Sequence, residues 1–118
     1  MTSDILSYVI GKKITQIVGV VGDMIFYTVE DEELLQYHQV DELNDILRDW
    51  LIEYHYNVNT YTDMIGGKTT ELVYIPLGCV VHTSIGATEY ETLLDCCDYI
   101  YKAVVINKFL KEEKNGKN

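Results

Sequence analysis

Bases are scarce in this chain, and so are proline, tryptophan and long apolar runs. Residues 1–101 hold four bases, Lys12, Lys13, Arg48 and Lys68, against 17 acids, a net of −13. Such a body repels nucleic acid and anionic membrane, so direct nucleic-acid binding and a membrane role are not expected. The longest apolar runs, at 17–21 and 103–106, fall far short of the ~18 residues a spanning helix needs. Residues 1–4 lack the basic start and apolar run of a secretory leader, and the expected setting is the cytoplasm. Cysteine is limited to three residues, two of them adjacent (Cys96, Cys97). That odd count is no disulfide framework and predicts buried free thiols in a reducing compartment. There is one proline, Pro76, with no low-complexity stretch and no internal repeat.

What is present reads as one globular unit. The chain has 118 residues, 47% hydrophobic and 24% charged, enough for one core and too few for two with a linker. Residues 1–110 are expected to form a single α+β domain. Residues 102–118 reverse the charge balance, with 2 acids and 5 bases. Their last part, 111–118, reads as a flexible basic tail.

Residues 3–10 suit a short helix, capped by Ser3 and ended by Gly11. Residues 12–21 are rich in β-branched side chains and read as a strand. Gly22-Asp23 is a turn signal before a returning strand at 24–29. The acids Glu30, Asp31, Glu32 and Glu33 break the pattern ahead of an extended piece at 34–38. Asp41 reads as the cap of a helix to about residue 56, with Leu43, Ile46, Leu47, Trp50, Leu51 and Tyr54 as its buried stripe. Strands are expected at 57–64, 69–75 and 79–85, with Ile65-Gly66-Gly67-Lys68 turning the first pair. Thr88 with Glu91 is a capping box for a last helix to about residue 110. The order (α)ββ-α-βββ-α predicts an antiparallel sheet of about five strands with two long helices on one face.

The most specific local feature is Asp41, Asp45, Asp49 and Glu53, recurring every four residues. On a helix each step of four advances ~6 Å and turns by only ~40°, so the four make a slanted row opposite the apolar stripe. Glu42, Glu30, Asp31, Glu32 and Glu33 would extend that surface. Phosphates along one nucleic-acid strand also present negative charge at regular intervals. One reading is a nucleic-acid-mimicking face that meets lysines and arginines. The other is a solvated helix side, its acids favoured near the N-terminus by the helix dipole.

Other constellations are weaker. Gly67-Lys68-Thr69 resembles the end of a phosphate loop, but Thr62 stands where a glycine is required, so a hairpin turn is expected. Cys79 and His82 with Cys96 and Cys97 supply only one metal-type unit, and a regular strand would point Cys79 and His82 to opposite faces. No nucleophile–base pair is tied together by spacing, so no catalytic, metal or cofactor residue is assigned. His38 is isolated, and His55 at a helix end suits a dipole contact. Ten tyrosines spread over every element suit half-buried and interface positions.

Two resemblances accompany these readings. Residues 41–106 resemble the small α/β sandwich proteins of phages, of unknown function. The likeness is a helix running into strands, then Ala87-Thr88 opening a helix that carries Cys96-Cys97. Separately, Ile10-Gly11-Lys12-Lys13-Ile14, Ile25-Phe26-Tyr27-Thr28 and Tyr37-His38-Gln39 are similar to the opening hairpin of a phage family that sequesters cyclic nucleotide signals in Thoeris anti-defence. That family continues with Asp-Cys-Cys and an aromatic-rich second half, where this chain has Asp41-Glu42-Leu43. Both resemblances imply a phage or mobile-element setting. The expected function is a non-enzymatic acidic inhibitor of a basic host protein, such as a CRISPR effector, acting as monomer or homodimer. A sponge for a cyclic nucleotide and a plain assembly module are the alternatives.

Overall fold

The computed structural model describes residues 2–106. It is α+β, with three helices and two three-stranded antiparallel sheets. Helix α1 spans Thr2–Ile10 and ends at Gly11, whose φ of +79° is the left-handed geometry glycine accepts most easily. Strands β1 (Ile14–Val21), β2 (Met24–Val29) and β3 (Gln36–Gln39) form the first sheet in that order. Gly22-Asp23 joins β1 to β2, with Gly22 at φ +63°. Helix α2 covers Val40–Glu53. Strands β4 (Tyr56–Thr62), β5 (Lys68–Tyr74) and β6 (Cys79–Gly86) form the second sheet. Helix α3 covers Glu89–Ile100 and continues as a wider π-helical stretch over Tyr101–Ile106.

The expected single five-stranded sheet is therefore corrected to two sheets of three. The extended piece after the Glu30–Glu33 acids is a true strand that pairs with β2, and β3 passes directly into α2. Helix α2 then separates β3 from β4, and β4 pairs with β5 alone. The cap of α2 is also corrected. Gln39 stands at the N-cap with no side-chain bond, and Asp41 lies in the first turn. Val40 donates its N–H to the Asp23 carbonyl at 2.7 Å, so a tertiary contact serves a helix start that a side chain would otherwise cap. Thr88 caps α3 as its sequence suggests, accepting the Glu91 N–H at 3.2 Å. Glu91 reaches back to the Ala87 N–H at 3.0 Å. The last helix beyond residue 106 and the tail at 111–118 lie outside the described residues.

One buried cluster joins all the layers. Ile5 and Leu6 from α1, Ile25 and Tyr27 from the first sheet, Leu47 and Leu51 from α2, Leu72 from the second sheet and Leu93 and Ile100 from α3 belong to it. Helix α3 packs on β5 and β6, α2 on α3, β3 and β4, and α1 on β1. A chain of hydroxyls fixes α3 to the second sheet: Thr60 to Thr70 at 2.8 Å, Thr70 to Thr92 at 2.7 Å, and Thr92 to the Glu89 carbonyl at 2.9 Å. Because Thr92 donates to that carbonyl, its oxygen accepts from Thr70, and Thr70 accepts from Thr60.

Candidate acidic interface

All nine acids singled out in the sequence are exposed. Asp41, Asp45, Asp49 and Glu53 run along α2 opposite the buried Leu43, Leu47, Trp50 and Leu51. The helix dipole favours Asp41 and Glu42 in the first turn. It disfavours Glu53 in the last turn and Asp49 just before it, and that last turn holds no base. Helix stability therefore explains the start of the row and not its end. Ile52, 51% exposed, lies within the row by helical angle, between Asp41 and Asp45.

Arg48 is the one base on α2, and it is partly spent. Its Nη1 meets Asp45 at 2.9 Å and its Nη2 meets Glu89 on α3. Among the described residues no ion pair takes Asp41, Glu42, Asp49 or Glu53.

Glu30, Asp31, Glu32 and Glu33 form the turn between β2 and β3, with Asp31 at φ +66°. Lys13 pairs with Glu30 at 2.8 Å, and the Glu30 N–H bonds the Lys13 carbonyl at 2.9 Å. This cluster does not adjoin the start of the row. Strand β2 lies between them, because Asp41 follows the Asp23 contact at one end of β2 and Glu30 follows its other end. Seven residue steps from Asp23 to Glu30 put the cluster ~23 Å along the strand from the Asp41 end.

The neighbours of Asp41 come instead from the β1–β2 turn and the start of α3. Val20, Asp23, Val40, Asp41, Tyr90 and Glu91 line a cleft of about 420 Å³ there. Its walls carry three carboxylates and no base. Burial pushes the Tyr90 hydroxyl up to about 12, so that ring stays neutral. Nothing in the spacing of these residues announces the cleft, because three separate elements build it.

The remaining chemistry-bearing residues fall in four places. Cys96 and Cys97 are buried, and burial pushes Cys96 up to about 12 and Cys97 higher still. Cys79 is exposed. A bulge at Val81 lets Cys79 pair with Tyr74 and His82 with Leu72, so Cys79 and His82 share one face of β6. That corrects the expectation of opposite faces. His82 bonds Asp95 of α3 at 2.9 Å and stacks on Tyr99 at 4.3 Å, a contact the sequence reading missed. Its signal was the step of four between Asp95 and Tyr99 facing a strand histidine. His38 bonds the buried Tyr27 hydroxyl at 2.8 Å.

The Gly66-Gly67 segment is a hairpin turn, with Asp63 accepting the N–H groups of Ile65 at 3.0 Å and Gly67 at 2.9 Å. His55 follows α2 at φ +69°, its N–H bonded to the Ile52 carbonyl at 2.9 Å. Among the described residues no group of three or more His, Cys, Asp or Glu side chains could hold a metal ion. None of the described helices is long and apolar enough to cross a membrane. No protein-family model, curated protein or solved structure matches the chain.

Proposed function

We propose that this chain is a non-enzymatic acidic binding protein that takes the basic surface of a nucleic-acid-binding host protein. In this reading it is an inhibitor carried by a phage or mobile element. The observation that carries the reading is the α2 row. It continues to Asp49 and Glu53, where the helix dipole opposes acids. A face serving only solubility has no need of acids at a helix C-terminus. Asp41, Asp45, Asp49 and Glu53 would meet lysines and arginines of the target. The cleft beside Asp41 suits one long basic side chain, whose stem would lie on Val20 and Val40 and whose head would meet the carboxylates. Attraction of this kind speeds association and weakens with salt.

The test is charge reversal on the row. The Asp45→Lys/Asp49→Lys variant is expected to lose target binding while its circular dichroism and melting match the parent. Unchanged binding refutes the assignment.

One observation favours a second reading, a nucleotide sponge. Lys12 and Lys13, half the bases of residues 1–101, line an open cleft of about 480 Å³ with Tyr8 and Tyr101, whose rings lie 5.1 Å apart. Aromatic rings beside bases suit a base and its phosphate. A thermal shift with cyclic nucleotides, lost in Lys12→Glu, would support it, and no shift with any of them would dismiss it.

A further inference from the structure

The outer face of the first sheet carries an exposed feature of a different kind, apolar rather than acidic. Ile25 and Tyr27 point into the core, so their neighbours Phe26 and Met24 point out. Tyr37 of β3 lies opposite Phe26, with the rings 6.1 Å apart. Val18, Val21, Phe26 and Leu35 line a groove of about 300 Å³ that is almost wholly apolar. Val21 is 70% exposed and Tyr37 60%. Monomeric proteins seldom leave aromatic and branched side chains grouped on an open sheet in this way.

The shape of the face depends on Gly19. It stands opposite Phe26, and a Cβ built on it would meet nothing within 4 Å. The missing side chain leaves the groove open at this position, and exposed Tyr37 projects from the same face. A two-fold contact needs a surface complementary to itself, with knob and hole both present.

Charge points the same way. The strand positions of this face hold Gln16, Gly19, Val21, Met24, Phe26, Thr28, Tyr37 and Gln39, with no acid and no base, in a chain of net −10. A basic partner gains nothing from a neutral face. A second acidic copy meets the least repulsion through a face without acids.

We infer that this face is the interface for a second copy of the chain, with Tyr37 of each copy seated in the groove over Gly19 of the other. Strand spacing makes the face roughly 400 Å² in plan, about 800 Å² for the two copies together, which is below the size of a stable interface, so the pair is a weak one that forms only at about tens of micromolar or above. The like charges of the two bodies repel across the rim, so added salt tightens this contact. That response is opposite in sign to binding of a basic target by the α2 row, and the two sites are separately testable.

Sedimentation velocity over roughly 1–500 µM chain reads the association directly. The parent is expected to dimerise with a midpoint of about 10–100 µM, and to dimerise more tightly in about 0.5 M NaCl. Gly19→Glu fills the hole with a charge, and Tyr37→Ser removes the knob. Each should raise the midpoint at least tenfold while melting stays at the parent value, since Gly19 has open space and Tyr37 is mostly exposed. A parent that stays monomeric throughout overturns the inference. So does a dimer that survives both substitutions, or one that salt dissolves.

Discussion

The threonine chain between the second sheet and α3 lends itself to a double-mutant cycle. Thr70 and Thr92 are fully buried, and their hydroxyls lie 2.7 Å apart. Thr70→Val keeps the shape, but Thr92 loses a donor and Thr60 an acceptor. Two hydroxyl bonds at about 1 kcal/mol each are lost, and a valine in a strand recovers part of that, leaving about 1–2 kcal/mol. Thr92→Val leaves the Thr70 proton buried without an acceptor, at a similar cost of about 1–2 kcal/mol. In the double variant the two apolar groups face each other, and half-buried Thr60 can turn to water. The pair should then cost about 1–2 kcal/mol in total rather than about 3, a coupling of about 1–2 kcal/mol. Urea denaturation reads this directly. For a slope of about 1.5 kcal/mol/M, each single variant shifts the midpoint down by roughly 1 M, with the slope unchanged. Losses that simply add to within about 0.3 kcal/mol would refute the hydroxyl chain as a coupled unit.

Three further outcomes follow from the same structure. Folded Cys96 and Tyr90 ionise only at about 12, against ordinary values of 9.0 and 10.0. The stability this represents is whole below pH ~9 and is lost as pH rises from there toward 12, so the urea midpoint should fall steadily over pH 9–11; a flat profile contradicts the burial of these groups. A chromogenic disulfide reagent at pH 8 should label exposed Cys79 quickly, and Cys96 and Cys97 only after denaturant is added; rapid labelling of all three contradicts the packing. Glu53→Lys should raise stability slightly, by about 0.3–0.5 kcal/mol, because a base suits the end of α2; a destabilised variant would mean that Glu53 serves the helix after all.

Local signals were legible in the residues. The β-branched run at 14–21, the Gly22-Asp23 turn and the strand at Met24–Val29 stand where their composition suggests. So do the apolar stripe of α2 and the Thr88 cap. Long-range facts were not legible. Alternation shows that a segment is a strand and not which strand it joins, so the division into two sheets was hidden. The start of α2 was misjudged because the Asp23 carbonyl, distant in sequence, receives the Val40 N–H. The shared face of Cys79 and His82 was hidden by a bulge, which adds one residue without any marker. In the candidate interface, the four-residue spacing did identify the row on α2. The distance of Glu30–Glu33 from Asp41 depends on a pairing that only the fold supplies.

The central claim is that the acidic face binds a basic, nucleic-acid-binding protein. Its most direct test immobilises the chain, passes prokaryotic lysate over it at low salt and challenges the retained proteins with duplex DNA, with the Asp45→Lys/Asp49→Lys variant in parallel. The account predicts a DNA- or RNA-binding protein that the parent retains, that DNA and salt both release, and that the variant does not hold. Retention of nothing basic, or equal retention by the variant, would contradict it.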